Sequence, residues 1–573
     1  DGGGDVGDGG GGGTTCGSSE EDACPDIRSA LQAIPENLPA GQQLPELRLL
    51  PGLYTGDGNV FLGGPGDLDY PSTASNVGLV GWNSKNATEA PVPTGDTRAL
   101  ATVAMATVAV LSCEGRQSGN ASTSPTRGVW LSEGRLTRLA NLTVTGCPAG
   151  GVGVDMWPGD GAGSSPASLD FVTIAGNGED SCERGGGLYA TAAAASEEDS
   201  GDSMRKREAD ETREGGDGSD PVLLTVSGCV IVNNTAQLGG GIAIGPSSTT
   251  SSLWSLSSPA TPVGIPPPHL TQAREGREAQ RSGSGGGGKT VSVFEPSPRN
   301  AGTAHVSRPV LMVRSSGGGG FSGVVIDGPT RVSENRATSG GGVWASGVAV
   351  SALGGEVVVR GNVAGGMAEG CGDEKRCGGR GGGVYVDEGL LHLRGVSFQG
   401  NRAEAHQARD EYAKGGALSA RASSVDLRGC SFVGNAAVAV AEASAGIGGG
   451  AYLDGSNATL SDCHFKTNRA EGSDLFGQLA SFGGGLATRG PLCLTNISDS
   501  SFVTNVAGKG GSGGGMWVED GARAVLAGTE LVNNTAVSSY THKAAGGGVA
   551  VSASASLDMS EGCGLRGNVA GPE

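Results

Sequence analysis

Aromatic residues are scarce in this chain, at only 4% of its 573 residues. Long hydrophobic runs are missing too. The longest, residues 99–111, is shorter than the roughly 20 apolar residues that a membrane-spanning helix needs. Its Val residues alternate with small ones, which predicts a buried strand, and we expect no membrane-spanning segment. So few large side chains exclude a thick conventional core and favour a thin, elongated one.

Basic residues are also few. Lys and Arg number 39 against 59 Asp and Glu, which gives a formal charge of −20. Nucleic-acid binding requires clustered Lys and Arg, so we expect no such partner. The six His follow no repeat register, and the glycine loops lack the Lys of a phosphate-binding loop. We therefore expect no metal and no cofactor.

Cysteines and glycosylation signals are frequent by contrast. Twelve Cys and seven N-x-S/T sequons together indicate an oxidising, secretory compartment, hence an extracellular or cell-surface location. Because the chain starts at Asp1 without a visible signal peptide, we expect a mature form or an excised portion. The predicted glycosylation sites are Asn86, Asn120, Asn141, Asn233, Asn457, Asn496 and Asn533.

A short sequence motif recurs through the chain. The 108 Gly of the chain do not follow the G-X-Y period of collagen. An apolar residue precedes an Asn by three places, Ala usually follows two places later, and a glycine run with a short apolar stretch comes next. "SFVGNAA" and "GGGAYL" are one example. The repeated asparagines are Asn177, Asn234, Asn335, Asn362, Asn401, Asn435, Asn468, Asn505, Asn534 and Asn568.

Spacing divides each repeat into a fixed half and a variable half. From the last glycine of a run to the next Asn is 18 to 20 residues in seven consecutive repeats, for example from Gly450 to Asn468. From Asn forward to the next glycine run is 5 to 19 residues. Stacked strands cannot change length without turning inward side chains outward, whereas surface loops can.

Such a unit predicts an all-β solenoid, a right-handed parallel β-helix of about a dozen coils. Gly permits positive φ and close backbone approach at corners. Asn tolerates the left-handed conformation of a sharp corner, and its amide can bond to the Asn residues above and below. The expected structural ladder comprises Asn335, Asn362, Asn401, Asn435, Asn468, Asn505 and Asn534.

Composition predicts six segments. Residues 1–23 form a flexible Gly/Asp-rich terminus, and residues 24–190 form the N-terminal coils. A charged disordered insert (191–221) precedes one coil (222–245), and a Pro/Ser/Gly-rich disordered insert (246–320) follows it. Residues 321–573 form the repetitive coils.

The repeat resembles that of the polymorphic outer membrane proteins, in which F-x-x-N is paired with a downstream G-G-A/G-aliphatic motif. Here the motif stands at Phe398–Asn401, Phe432–Asn435, Phe465–Asn468 and Phe502–Asn505. Residues 46–62, 110–115 and 127–146 resemble the first coils of pectin lyase-like β-helix proteins. The likeness covers about 24–190 and 222–573. It implies extracellular or cell-surface β-helix passengers, often adhesive.

The second position after each glycine run should face outward, because the first and third positions are mostly aliphatic. Leu418 takes this position in the Gly415–Gly416 copy. Rigid aromatic side chains there can stack on sugars or on a partner protein, or they can simply cover the sheet. The candidate ligand-binding stripe comprises Tyr189, Trp344, Tyr385, Tyr452 and Trp517.

Two residues further on, the same face carries Asp387, Asp454, Arg489 and Glu519. The carboxylates Asp387, Asp454 and Glu519 are weak catalytic candidates, because paired carboxylates can hydrolyse glycosides. Alternating charge on consecutive coils instead favours a cross-strand ion-pair ladder. The acidic motifs expected from a resemblance to polygalacturonases or pectate lyases are absent.

Six cysteines are disulfide candidates. Cys430 and Cys463 hold the same position on adjacent coils, which fits either a disulfide or two stacked free thiols. Cys371 and Cys377 would close a local loop, and Cys16 and Cys24 would tie down the N-terminal cap.

These features favour a secreted or cell-surface, non-catalytic β-helix for adhesion or recognition. Its partner would be a polysaccharide or a cell-surface protein, bound through the aromatic stripe and the variable loops. The first alternative is a pectin lyase-like enzyme acting on an acidic cell-wall polysaccharide. The second is a purely structural cell-wall rod. An enzyme needs convergent acid, base and cation, whereas a binding protein needs only shape and stacking.

Overall fold

The structure is a computed structural model that describes residues 24, 26–32, 46–49, 51–55, 77–81, 108–113, 127–132, 136–156, 167–179, 181–192, 222–246, 323–352, 356–365, 378–406, 412–440, 444–472, 481–539, 543–552 and 554–571. The chain divides into two compact units, Asp1–Ser247 with Ser315–Glu573, and Ser248–Arg314. All of the described residues belong to the first unit. Apart from one short helix, Ile27–Gln32, their regular structure is β-strand.

Four parallel sheets and one short strand pair contain the described strands. Sheet I has 13 strands: Glu46–Leu49, Val77–Gly81, Leu136–Ala140, Ala167–Asp170, Val222–Ser227, Gly323–Asp327, Ala349–Ala352, Leu390–Arg394, Ser424–Arg428, Asn457–Ser461, Leu494–Ser498, Arg523–Ala527 and Ser556–Met559. Sheet II also has 13: Gly52–Tyr54, Ala109–Ser112, Leu142–Thr145, Thr173–Ala175, Val230–Val232, Arg331–Ser333, Val358–Arg360, Ser397–Gln399, Ser431–Val433, His464–Lys466, Ser501–Val503, Glu530–Val532 and Gly564–Arg566.

Sheet III has 11 strands: Val129–Ser132, Val152–Met156, Leu188–Ala192, Ile242–Pro246, Val343–Ser346, Val384–Asp387, Leu418–Arg421, Ala451–Asp454, Leu486–Arg489, Met516–Glu519 and Val549–Val551. Sheet IV has eight: Arg336–Ala337, Val363–Gly365, Arg402–Ala405, Ala436–Ala439, Arg469–Glu471, Val506–Lys509, Thr535–Val537 and Val569–Gly571. The remaining pair is Tyr412–Lys414 with Ala445–Ile447.

Strand order within each sheet follows the repeats. Every strand pairs in parallel with the corresponding strand of the next repeat, as Ser397–Gln399 does with Ser431–Val433. After each glycine run the chain passes through sheet III, then sheet I, then sheet II, and it reaches sheet IV after the Asn. This topology is consistent with the expected parallel β-helix or solenoid. The 18-to-20-residue span holds one strand each of sheets III, I and II, which is why its length is fixed.

One continuous core lies between sheets I, II and III, formed by alternate residues of each strand. The apolar residue three places before each Asn faces this core, except Leu565 before Asn568, which is exposed. Phe398, Phe432, Phe465 and Phe502 stack along it with ring centroids 4.7, 4.5 and 4.7 Å apart. These spacings match the distance of about 4.8 Å between neighbouring strands, so each repeat contributes one ring to the stack.

The asparagine ladder is continuous from Asn177 to Asn568. The Nδ2 of Asn435 donates to Oδ1 of Asn468 at 3.0 Å and to the carbonyl of Phe398 at 3.1 Å. Its Oδ1 accepts from Nδ2 and the backbone N–H of Asn401. The same pattern repeats at every step, so the predicted stacking of asparagine amides is confirmed.

The left-handed corner lies one residue earlier than predicted. Positive φ occurs at the residue before the ladder asparagine, as at Asn233 (55°), Gly434 (64°) and Thr504 (52°). The ladder asparagines themselves do not adopt it. The prediction that the ladder asparagines adopt the left-handed conformation is therefore wrong. They make their side-chain hydrogen bonds without a positive φ.

The glycine run closes each repeat against the next. Gly448 has a φ of 65°, which favours glycine. A Cβ on Gly449 would lie 2.4 Å from the backbone of Arg469 in sheet IV. A side chain here would therefore push sheet IV away from the start of sheet III, as predicted for a position of close backbone approach.

Several predicted segments fall outside the described residues. They include the N-terminal segment 1–23, the charged insert from residue 193 onward and the Pro/Ser/Gly-rich insert between residues 246 and 323. The strand Leu188–Ala192 extends two residues into the insert predicted to begin at 191.

Candidate functional site

Sheet III carries the predicted aromatic stripe, but the side chains are not exposed. By strand register the second position after each glycine run forms one line, here called the aromatic column. Tyr189, Trp344, Tyr385, Tyr452 and Trp517 are only 1–8% exposed. The expectation of an exposed stripe is therefore wrong. The column comprises Tyr189, Ala243, Trp344, Tyr385, Ser419, Tyr452, Ala487, Trp517 and Ala550.

The register also corrects one member of this line. The second position in the Gly415–Gly416 copy is Ser419, which pairs with Tyr385 and Tyr452, and not Leu418. Ala417 occupies the place that the third glycine holds in other copies, so counting from the last glycine gives the wrong residue. Leu418 instead belongs to the main core.

A second line of residues runs over the aromatic column. The residue immediately before each glycine run forms parallel bridges with its equivalents, and we call this line the covering column. Its members Leu238, Ile447 and Phe482 pack with residues of the aromatic column in two small hydrophobic clusters, separate from the main core. Its members are Arg184, Leu238, Ser339, Arg380, Lys414, Ile447, Phe482, Ser512 and Ala545.

The two columns are complementary in size. Ser339 and Ser512 precede the runs that lead to Trp344 and Trp517, whereas Leu238 and Phe482 precede those that lead to Ala243 and Ala487. Phe482 also stacks on Trp517 with ring centroids 4.3 Å apart. At these four positions a large side chain in one column is matched by a small one in the other, as interdigitated packing requires.

Cations cover part of the aromatic faces. The guanidinium of Arg184 lies 5.8 Å from the Trp344 ring centroid, and its Nη1 donates to the Tyr189 hydroxyl at 3.3 Å. The ammonium of Lys414 lies 5.3 Å from the Tyr452 ring and 5.7 Å from that of Tyr412. These contacts are within cation–π range.

Beyond the aromatic column lies the charged column Asp387, Arg421, Asp454, Arg489 and Glu519, on consecutive strands. Arg421 binds Asp387 through two hydrogen bonds of 2.6 Å. Arg489 binds Asp520 at 2.6 Å and lies 3.8 Å from Glu519. The alternating order was predicted, although Arg421 was missed because Ala417 shifted the count in that repeat.

Glu519 has an altered proton affinity. Burial and the nearby Asp520 raise its pKa to about 7, although Arg489 opposes the shift. At neutral pH this carboxyl is therefore protonated in part. A carboxyl with this proton affinity can act as a general acid near neutral pH.

Lys414 is the other unusual group. Burial, followed by the nearby Arg380, lowers its pKa to about 8, and Asp454 compensates only in part. Arg489 and Arg421 lower it further. Sequence reasoning overlooked Arg380 and Lys414 because the position before the glycines was not aligned as a column.

The cysteine predictions are only partly tested. Cys430 and Cys463 are free, buried thiols, so the disulfide candidate is corrected in favour of the stacked-thiol alternative. Side chains on in-register parallel strands point the same way, and the two sulfurs contact carbonyls at 3.4–3.6 Å. Cys24 is disulfide-bonded. Cys16, Cys371 and Cys377 lie outside the described residues.

One disulfide was missed. Cys113 and Cys147 are joined, with Cα atoms 4.8 Å apart. They follow the neighbouring sheet II strands Ala109–Ser112 and Leu142–Thr145. The similar phrases "VLSC" and "VTGC" were the available signal.

The sequons differ in exposure. Asn496 and Asn533 are exposed, whereas Asn141, Asn233 and Asn457 are half-buried. Asn86 and Asn120 lie outside the described residues.

In the described ranges, no three or more His, Cys, Asp and Glu side chains are placed to hold a metal ion. No helix in the same ranges has the length and hydropathy needed to cross a membrane. Comparisons of the chain with protein-family models, curated proteins and solved structures give no match.

Proposed function

We propose that this chain is an extracellular or cell-surface recognition protein that binds a glycan or a protein without converting it. Its scaffold would be a right-handed parallel β-helix of about a dozen coils. The resemblance of its repeat to the polymorphic outer membrane proteins supports an adhesive role. The exposed Asn496 and Asn533 sequons and the Cys113–Cys147 disulfide support a secretory origin.

The charged column carries this proposal. Five charged side chains stand at fixed strand spacing beside the packed aromatic column. Asp387 is buried, and the other four are partly exposed and form a rigid polar surface. Recognition requires that charges be held in place before the ligand arrives. The buried aromatic column supports the surface from beneath, and the variable loops would add contacts at its edge.

The position and the raised pKa of Glu519 support one alternative function, that of a glycoside hydrolase. Asp454 and Glu519 lie two strands apart, roughly 9.5 Å by strand spacing, which is near the carboxylate separation of inverting enzymes. The raised pKa of Glu519 suits the acid, and Asp454 would serve as the base. Against this, Arg489 lies between them and is bound to Asp520.

One experiment separates the two functions. The secreted protein is incubated with cell-wall and cell-surface polysaccharides and proteins, and both co-sedimentation and shortened products are recorded. Retention without products is the expected result. Products that disappear in Asp454→Asn and Glu519→Gln would establish the enzyme. Neither retention nor products would contradict both and favour a structural rod.

A further inference from the structure

Arg380 and Lys414 are two adjacent cations in the covering column. A parallel bridge pairs them on neighbouring repeats, so their backbones lie at strand spacing, about 4.8 Å. Neither has a described carboxylate within the 4.0 Å of an ion pair. Like charges this close repel unless an anion lies between them.

Two of the carboxylates around them are bound by other cations. Asp387 is bound bidentately by Arg421, and Asp520 is bound by Arg489. Asp454 raises the pKa of Lys414 against the lowering by burial, but it forms no ion pair with Lys414. Arg421 and Arg489 are thus matched by carboxylates, whereas Arg380 and Lys414 form no ion pair with a described carboxylate.

The surroundings of Lys414 make an anion more favourable still. Lys414 is half-buried, and its ammonium lies over the Tyr452 ring, 5.3 Å from the centroid, so it is partly withdrawn from water. The hydroxyl of Tyr452 is fully buried and forms no hydrogen bond of good geometry in the described chain, although Asp454 lies near it. A ligand oxygen beside Lys414 would offset the desolvation of the ammonium, and the free hydroxyl marks a polar group not satisfied by the protein itself.

We propose that Arg380 and Lys414 bind an oxyanion group, a sulfate or a carboxylate, carried by a glycan. This rests on the proposed recognition function and names the chemistry of its ligand. Arg offers a planar fork and Lys a compact charge, so the pair can engage two oxygens of one such group.

The test uses three polymers with one backbone: dextran sulfate, carboxymethyl dextran and unmodified dextran. Binding to the full-length protein is measured by calorimetry at low and moderate salt. Because the protein is strongly acidic overall, general electrostatics oppose both polyanions, and binding requires a local site.

Three variants locate the site. Lys414→Met keeps an unbranched side chain of similar length and removes the charge, and Arg380→Gln removes the guanidinium. Each should weaken polyanion binding by about 10-fold, the value of one charged hydrogen bond. Arg394→Gln, an exposed position in sheet I, makes the same change in net charge and should leave binding unaltered. Circular dichroism checks that all three fold.

The preferred polymer identifies the group, sulfate or carboxylate. Equal binding of all three polymers, no polyanion binding, or an equal loss in Arg394→Gln would overturn the proposal. Binding of a neutral glycan or a protein in the earlier panel, without polyanion binding here, would leave recognition standing and remove only the oxyanion site.

Discussion

A single ladder asparagine satisfies four buried hydrogen-bonding partners. Replacing Asn435 by Ala would strand the two donors of Asn401 and the carbonyl of Phe398. We expect Asn435→Ala to lower the free energy of unfolding by about 3–5 kcal/mol, measured by urea denaturation. Gln399→Ala removes an amide of a partly buried surface residue and should cost less than about 0.5 kcal/mol. Equal losses in both would contradict the ladder's role.

Glu519 should make stability depend on pH. Its folded pKa of about 7 lies above the ordinary value of 4.5, so the folded state holds the extra proton between these values. The resulting stabilisation is complete below pH 4.5 and is lost as the pH rises through 7. Glu519→Gln, which stays neutral, should therefore be more stable than wild type at pH 8 by about 1–2 kcal/mol, after allowing for solvent screening.

Urea denaturation at pH 4 and pH 8 measures this difference, which should vanish at pH 4. Glu530→Gln is the control, since Glu530 is exposed and pairs with Arg566 at the surface. A Glu519→Gln variant less stable than wild type at pH 8 would show that the Arg489 contact outweighs the desolvation of the carboxylate.

For single residues, the sequence predicted which of them recur in each repeat, but not their backbone conformation or proton affinity. The asparagine stacking followed from repetition alone. The left-handed corner was assigned one residue too late, because Asn233, Gly434 and Thr504 share no side-chain chemistry that reveals it. Proton affinities such as that of Glu519 depend on burial, which the repeat pattern does not give.

Among the strands, the size complementarity of the covering and aromatic columns predicts a rescue. Phe482→Ser loses the stacking on Trp517, and Ala487→Trp places a second large ring beneath Phe482. Each single change should destabilise. The double variant recreates the Ser-and-Trp pattern of Ser339 with Trp344, so it should recover at least about 1 kcal/mol relative to the sum of the single changes. Additive losses in a double-mutant cycle would contradict this complementarity.

For the strands, the sequence predicted to which side of the sheet each side chain points, but not whether other residues cover it. Alternation showed correctly that Tyr385 and Trp517 point away from the main core. Their burial depends on Arg380, Phe482 and their equivalents, which lie before the glycines and close over the sheet only in three dimensions. Direction away from one core is therefore not the same as exposure to solvent.

For the whole molecule, the pairing of repeats should not require the long insert. Ile242–Pro246 pairs directly with Val343–Ser346, and Gly323–Asp327 pairs directly with Ala349–Ala352. The insert lies in the chain between Ile242–Pro246 and Gly323–Asp327. Between Ser346 and Ala349 two residues, Gly347 and Val348, suffice. Replacing residues 246–322 by Gly-Val should therefore shift the midpoint of thermal unfolding by no more than about 2–4 °C.

Circular dichroism during heating measures that shift. Replacing the same residues by a single Gly, which is one residue short of the native turn, is the matched control and should cost more. Loss of cooperative unfolding in the Gly-Val variant would show that the insert is part of the fold.

The location of the proposed recognition surface, formed by the charged column of sheet III and the covering column beside it, can be measured directly. Hydrogen–deuterium exchange is followed with and without dextran sulfate, or with carboxymethyl dextran if that polymer binds more strongly. Slower exchange should concentrate in residues 378–388, 412–422 and 451–455, which contain Arg380, Lys414 and Asp454. Protection confined to other sheets, or uniform along the chain, would contradict the account.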